Sequence, residues 1–281
     1  MVIKKTHRRQ VLVFKYSLSL LVALLVLIPL YVAVLGGFKS MGQLMSNPFG
    51  ISFPLLPDQY IDLLSGRVGF FWSALFNSVW ISVLTVGIGI VICAAAAFAL
   101  SRINFYLNGQ VLTYFLLGLL FPIAVAMLPL FLQIRDLGLM NTYLGVALPQ
   151  AAFQIPIQVL LMYAFFRAIP QDLEDACSID GHGHIGFFLY MVLPLSTPIL
   201  ATTGVITLVA SWNNFFLPLL VFNDRNKYTL PLGVMDFMGQ HMTRWNLVLG
   251  YVTLALIPAV VFFIYAQKYI VAGLTGGAVK G

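Results

Sequence analysis

The sequence predicts an all-α membrane protein with about six transmembrane helices. Three observations point there. Of 281 residues, 60% are hydrophobic and only 9% charged, whereas a soluble domain runs near one-half apolar and one-quarter charged. Too little polar surface remains to cover a soluble body of this size. The apolar residues also gather into runs as long as the roughly 20 helical residues that cross a hydrocarbon core. Finally, the runs lack the strict alternation over about ten residues that marks barrel strands. Residues 1–281 therefore read as a single transmembrane domain, although length alone would allow one or two globular ones.

The elements follow in order. Residues 1–10, "MVIKKTHRRQ", form a basic tail, and the first span runs about Val11–Leu35. The tail resembles the basic region of a signal peptide. The run after it is long, however, holds Pro29, and reaches no small-residue cleavage site before Gly36–Gly37, so an uncleaved span is expected. The second span lies within Phe70–Leu100, the third at about Val111–Leu132 and the fourth at about Gly145–Phe166. The fifth covers about Leu195–Phe222 and the sixth about Leu247–Tyr265, leaving residues 266–281 as a tail. Pro122, Pro129, Pro156, Pro218 and Pro258, with Gly87, Gly89 and Gly118, suit a bundle that bends or lines a cavity.

Lys4, Lys5, Arg8, Arg9 and Lys15 hold the N-terminus in the cytoplasm, and an even number of spans returns Lys268 and Lys280 to the same side. Orientation rests on that first cluster. The other inside loops carry only Arg102 and Arg167, while the outside loops carry Lys39, Arg67, Arg135, Arg225, Lys227 and Arg244. Trp72 and Trp245 fall at outer span ends, where amphipathic rings prefer to sit. The net charge of +6 forms no basic stripe, so the lipid bilayer and not nucleic acid is the expected partner. Cys93 lies in an apolar run and Cys177 in a polar segment, which argues against a disulfide.

That polar segment is "DACSIDGHGHIGFFLYMVLPL", residues 175–195, within the longest polar interruption on the cytoplasmic side. Pro170 followed by Asp172, Glu174 and Asp175 is helix-start chemistry. Leu173, Ala176, Cys177 and Asp180 recur at i, i+3, i+4 and i+7 and share a face, with small residues at its centre. Gly181 and Gly183 break the helix, and a second helix carries Ile185, Phe188, Leu189 and Val192 until Pro194 opens the fifth span.

Three uses are open to this elbow. Cys177, Asp180, His182 and His184 are plausible metal ligands, but no CxxC or HExxH spacing accompanies them, and His7 and His241 lie in the tail and an outer loop. Nucleophilic chemistry at Cys177 lacks a third group to orient a histidine base. Docking needs only a short helix with a small-residue face on a glycine hinge, which is what the segment offers.

The same residues resemble the EAA loop of ABC-importer permeases, whose pattern is Glu-Ala-Ala, three residues, Gly, nine residues, Ile-x-Leu-Pro. Asp175, Ala176 and Cys177 stand at the Glu-Ala-Ala positions, Gly181 at the glycine, Met191 at the isoleucine, and Leu193–Pro194 close the pattern. The departures at Asp175 and Cys177 keep charge and small size. "QKYIVAGLTGGAVKG", Gln267–Gly281, is similar to the ending of the maltose-type carbohydrate-uptake permeases. "SWNNFFLPLLVFNDRNKYTLPLGV" is similar to the segment from their penultimate span into the next outer loop. The resemblance covers essentially the whole chain.

The resemblance implies a type I importer permease, multi-pass in a prokaryotic cell membrane, with both termini cytoplasmic. Its partners would be a second permease of a different sequence, two ATPase subunits, an extracytoplasmic solute-binding protein and a carbohydrate-class solute. Residues 170–194 would be the coupling helix, meeting an ATPase through Glu174, Asp175, Ala176, Cys177, Asp180, Gly181, Leu193 and Pro194. The tail residues Gly273, Leu274, Thr275 and Lys280 would reach toward the ATPases, or alternatively fray as a glycine-rich terminus. No GxxxxGK[ST] loop is present, so the chain is expected to hold no cofactor or metal and not to be an enzyme; ATP and Mg would be bound by the partner ATPases.

Asn77, Gln154, Gln158, Trp212, Asn213 and Asn214 are polar or stacking groups within or beside the spans. They suit the hydroxyls and faces of a sugar, and equally suit hydrogen bonding between helices. A competing class, the ion-coupled secondary transporter, places ionisable residues within spans and uses symmetric repeats, and neither is evident here. A membrane enzyme using His182 or His184 is a third class.

Overall fold

Inside a bilayer, backbone amides and carbonyls find no water, so apolar runs must satisfy them internally, as helices. The computed structural model describes the backbone of residues 2–239 and 243–276, with side chains over 11–239 and 243–267. Among the described residues, regular structure is helical apart from one bridge between Met238 and Thr243. The helices are α1 Val2–Gly36, α2 Met41–Ser46, α3 Asp58–Leu64, α4 Phe71–Arg102, α5 Asn108–Leu117 and α6 Ile123–Asp136. They continue with α7 Tyr143–Arg167, α8 Asp172–Ile179, α9 His184–Phe187, α10 Leu193–Leu195 and α11 Thr197–Trp212. The last three are α12 Phe216–Val221, α13 Leu230–Gly233 and α14 Trp245–Gly276. Among the described residues, four stretches are long and apolar enough to cross a membrane: Val11–Gly36, α4, α7 and Trp245–Gln267. Two bent pairs, each counted as one span, raise the number to six.

The bends correct the sequence reading. The third run is not one straight helix: it ends in a 3-10 turn at Gly118–Leu120, and the chain turns by 101° before α6. Pro122 stands at that joint in extended conformation, because it cannot donate to the preceding turn. The joint expected near Pro194–Leu195 is present, at Ser196. Helix runs from His184 through a π turn at Phe188–Val192 into α10, then turns by 73° into α11. Pro194 and Pro198 occupy the opening turns of α10 and α11, where a missing N–H is harmless. The two prolines thus flank the joint from which α11 departs. The helix then stops at Trp212 instead of reaching Phe222; Asn214 Oδ1 accepts from Leu217 N at 3.0 Å and opens the separate α12. Finally, α14 continues past Tyr265 to Gly276, through residues expected as tail. Pro129, Pro156 and Pro258 remain inside their helices.

The chain divides into two compact units, Met1–Trp72 with Val234–Ala259 and Ser73–Gly233 with Val260–Gly281. In the first, the end of α1 crosses α14 where two glycines meet: a Cβ on Gly37 would fall 2.8 Å from Gly250 Cα, so only glycine permits this approach. Phe71, Tyr251 and Phe237 pack edge-on and tilted, with centroids 5.8 and 5.3 Å apart. Lys39 is fully buried, yet its three donors are met by the carbonyls of Asn47, Pro48 and Gly50 at 2.7, 3.3 and 2.6 Å. It staples the loop after α2, whose start is a capping box between Ser40 and Gln43.

In the second unit α7 is central, packed against α5, α11 and α12. One apolar cluster joins Ala97 and Phe98 of α4, Met162 and Phe166 of α7, Cys177 of α8, Phe187, Val192 and Ile199. Polar staples hold the opposite end. Asn77 donates to the carbonyls of Asn226 and Tyr228 at 2.8 and 3.0 Å and accepts from the Tyr143 hydroxyl at 2.8 Å.

Candidate functional site

The 170–194 segment opens with a short helix, α8, that ends in a glycine cap. Asp172, Glu174 and Asp175 crowd the first turn of α8, where the dipole favours carboxylates. At the other end, Gly181 N donates to Ser178 O and His182 N to Cys177 O, both at 3.0 Å, with Gly181 at φ +84°. This is a Schellman closure, which needs a left-handed residue at that one position. Gly183 is different: its φ of −79° and ψ of −174° are ordinary extended backbone.

A residue that sequence reasoning treated only as a topology charge anchors this helix. Arg102, the last residue of α4, places Nη1 3.5 Å from Glu174 Oε2, and its Nη2 donates to the carbonyl oxygens of Phe166 and Ile169. Its side chain is only 9% exposed and that of Glu174 18%. One planar guanidinium thus ties the end of α4 to the end of α7 and the start of α8. Glu174 also stands 3.6 Å from His184 Nδ1.

The exposed side of α8 differs from the expected one. Leu173 and Cys177, one turn apart, face inward into the apolar cluster, and Cys177 is only 5% exposed. Cys177 therefore adds no small surface for a partner; it fills this chain's own core, where a thiol behaves as a small hydrophobe. The outward side carries Asp172, Asp175, Ala176 and Asp180, with Ile179 86% exposed and Ile185 76% exposed beyond the cap. Leu193 is half-buried and Pro194 exposed.

The four proposed metal ligands do not converge. Cys177 points into the core, His184 faces Glu174, and the His182 ring lies 5.2 Å from that of Tyr190. Among the described residues, no three of the His, Cys, Asp and Glu side chains gather as a metal site. Gly273, Leu274 and Thr275 belong to the helical backbone of α14, but their side chains, with Lys280 and His241, lie outside the described residues.

A cavity of about 290 Å³, mostly apolar but with several amides and hydroxyls in its wall, sits between α4, α6, α7 and the α11–α12 joint. Its polar lining is Thr85, Gln150, Gln154, Ser211, Asn213 and Asn214, with the rings of Phe153, Phe215 and Phe216 beside them. Three of the six expected solute residues are therefore brought together: Gln154, Asn213 and Asn214. The others are not. Asn77 has its amide fully engaged in the staples above, Trp212 does not line the cavity, and Gln158 is buried outside it. Gln150, which sequence reasoning passed over, is more central. Its Oε1 accepts from Ser211 Oγ at 2.5 Å and lies 3.1 Å from Thr85 Oγ1, whose single proton is shared with the Ile81 carbonyl at 2.8 Å, so the group joins α4, α7 and α11. The available signal was the Gln150, Gln154, Gln158 spacing along one helix, of which only the last two were weighed.

Comparison with known proteins accords with these features. The profile of the family described as binding-protein-dependent transport system inner membrane component matches residues 87–275. A probable ABC transporter permease protein, YurM of Bacillus subtilis (strain 168), is 34% identical over 253 residues, covering 90% of this chain and 83% of its own. The arabinooligosaccharides transport system permease protein AraQ of Halalkalibacterium halodurans is 33% identical over 263 residues, covering 92% and 93%. The fold is also similar to a chain in the crystal structure of a bacterial ABC transporter involved in the import of the acidic polysaccharide alginate. The TM-score is 0.80 at 20% identity, over 93% of this chain and 96% of that one.

Proposed function

The chain belongs to the binding-protein-dependent transport inner-membrane components, and from that premise we propose that it carries a sugar or sugar-like solute and takes its drive through the 170–194 loop. As a member of the family it is a multi-pass, non-catalytic permease subunit of an ABC importer. The sugar assignment is supported by the arabinooligosaccharide relative and by the neutral amide and hydroxyl lining of the cavity. A second permease completes the path, an extracytoplasmic binding protein delivers the solute, and two ATPase subunits hold ATP and Mg. Both chain ends lie on the cytoplasmic side with the loop.

The observation that carries the coupling role is the anchored α8 with Ala176, Ile179 and Asp180 turned outward. Two independent ties make it a lever and not a loose loop. The Arg102–Glu174 pair fixes its start, and the Gly181 closure fixes its end. Closure of the ATPase dimer would then displace α8 as a unit and pass motion into α4 and α7 through Arg102. The solute path would rock between inward- and outward-facing forms as those spans move. Gentle purification of the tagged chain from its host, with mass spectrometry of its companions, tests this. An ATPase and a second permease are expected. Recovery of the chain alone, still competent for gradient-driven uptake, would overturn the reading.

A further inference from the structure

We propose that the loop joining α2 to α3 inserts its apolar side chains into the headgroup–acyl boundary of the bilayer, so that the outer end of α1 is anchored by lipid and not by protein. The inference is independent of the solute and requires only that α1 span the membrane.

Four observations carry it. First, residues 40–57, "SMGQLMSNPFGISFPLLP", hold no ionisable side chain. Second, Met45, Phe49, Ile51, Phe53 and Leu55 are all exposed, Phe53 to 79%. An exposed cluster of large apolar side chains marks a surface that meets protein or membrane. Third, the loop satisfies its own polar groups instead of leaving them to water. Lys39, the charge at its base, turns inward and is fully buried against the carbonyls of Asn47, Pro48 and Gly50. Gly50 N donates to Asn47 Oδ1 at 2.8 Å and Gln43 Nε2 to Pro54 O at 3.1 Å. Pro48, Pro54 and Pro57 have no N–H to satisfy. Such internal satisfaction is what a backbone needs as water thins out toward the acyl chains.

Fourth, the loop is held at the level of the membrane surface. The 26 residues Val11–Gly36 rise roughly 39 Å at 1.5 Å per residue, against a hydrocarbon core of about 30 Å. The chain therefore emerges among the outer headgroups. Leu56 N then donates to Phe38 O at 2.8 Å, which closes the loop two residues beyond Gly36 and keeps it beside the end of α1. Phenylalanine and leucine side chains in this position reach the headgroup–acyl boundary, about 5–10 Å deep. A binding protein that comes and goes is a poorer fit, because transient interfaces are no more apolar than the rest of a protein surface.

The test uses the complete complex in phosphatidylcholine liposomes, with Phe49→Cys or Phe53→Cys carrying an NBD fluorophore. Met45→Cys serves if either variant does not assemble. The parent complex, whose Cys93 and Cys177 are buried, supplies the background label. Asp136→Cys, at an exposed position ending α6, carries the same dye as the water reference, so any lipid-seeking by the dye itself shows there too. Two quenchers are compared. One is iodide, equilibrated on both sides so that the answer does not depend on which way the chain faces. The other is phosphatidylcholine with a nitroxide near the top of its acyl chain. At positions 49 and 53 the lipid nitroxide is expected to quench strongly, and iodide roughly fivefold less than at 136. Iodide quenching equal to that at 136 would place the loop in water and overturn the proposal. Weak quenching by both would show that protein covers the loop, and would overturn it equally. If that cover persists without the binding protein, the second permease provides it; if it appears only on adding the binding protein, that protein does. None of these outcomes bears on the sugar-permease reading.

Discussion

Arg102 Nη1 stands 3.5 Å from Glu174 Oε2, and this pair connects the end of a long apolar helix to the start of the exposed α8. The same guanidinium donates to the carbonyls of Phe166 and Ile169. Removing one partner of a fully buried ion pair costs roughly 3–5 kcal/mol, because the remaining charge is stranded; with side chains 9% and 18% exposed, this pair falls below that range. Arg102→Met is therefore expected to loosen α8 from its support and leave Glu174 uncompensated. Arg102→Lys is expected to rescue only part, since a point charge cannot span a carboxylate and two carbonyls. Limited proteolysis within residues 168–184 of the purified complex reads this directly; cleavage as slow as in the parent protein would refute it.

Gly181 and Gly183 give a paired prediction. Neither position is crowded, so any effect of a side chain comes from backbone conformation. At φ +84°, Gly181 sits where an L-residue costs about 1–2 kcal/mol, and a β-branched one is a genuine outlier. Gly181→Val is expected to open the cap that ends α8 and to uncouple ATP hydrolysis from uptake. Gly183→Ala, in extended backbone, is expected to behave as the parent. Equal uptake-to-hydrolysis ratios in the two variants would contradict the assignment.

How much of this was legible in the sequence follows from the range of each interaction. Long apolar runs stand out because membrane helices must be long, continuous and oily, and the runs at α1, α4, α7 and α14 were found. Which prolines bend a helix was not legible. Pro122 sits at a 101° joint while Pro129 continues inside α6, although nothing in the local sequence separates the two. The elbow was found from local signals, acidic residues before the helix and glycine after it. Its support was not, because nothing local marks Arg102 as the partner of a glutamate on another helix. The inward turn of Cys177 was missed for a related reason. Periodicity says which residues share a face but not whether that face meets the chain's own core. Gln150 shares a helical spacing with Gln154 and Gln158, but its partners Thr85 and Ser211 carry no signal until folding brings three helices together.

Asn77 separates structure from transport. Its amide serves the carbonyls of Asn226 and Tyr228 and the Tyr143 hydroxyl, leaving nothing for a solute. Asn77→Leu removes all three bonds, at about 0.5–1.5 kcal/mol each for partners that are half-buried or exposed. The expected outcome is a lower melting midpoint of the complex with an unchanged order of preference among sugars. A changed preference with unchanged melting would place Asn77 in the solute path after all.

Ile179 and Cys177 lie two residues apart on α8 yet face opposite environments, and thiol labelling can read the difference. Cys177 is 5% exposed and Cys93 is buried, so a membrane-impermeant maleimide is expected to leave both unlabelled in the native fold. Ile179→Cys, at an 86% exposed position, is expected to label readily in the chain without its ATPases and to be protected when they are bound. The energetic counterpart is Ile179→Asp. Burying an isoleucine contributes about 1.5–3 kcal/mol, and about 1.4 kcal/mol is a factor of ten in an equilibrium constant. ATPase affinity should therefore fall by roughly ten- to a hundredfold, more if the new carboxylate is buried unpaired, with little change in melting. Cys177→Ser should do the reverse, lowering stability by about 1–3 kcal/mol through a buried hydroxyl that must find a partner, while labelling at position 179 remains protectable. If Cys177 labels rapidly, or if Ile179→Asp retains its ATPases at full affinity, the outward face of α8 is not the surface that the ATPase covers.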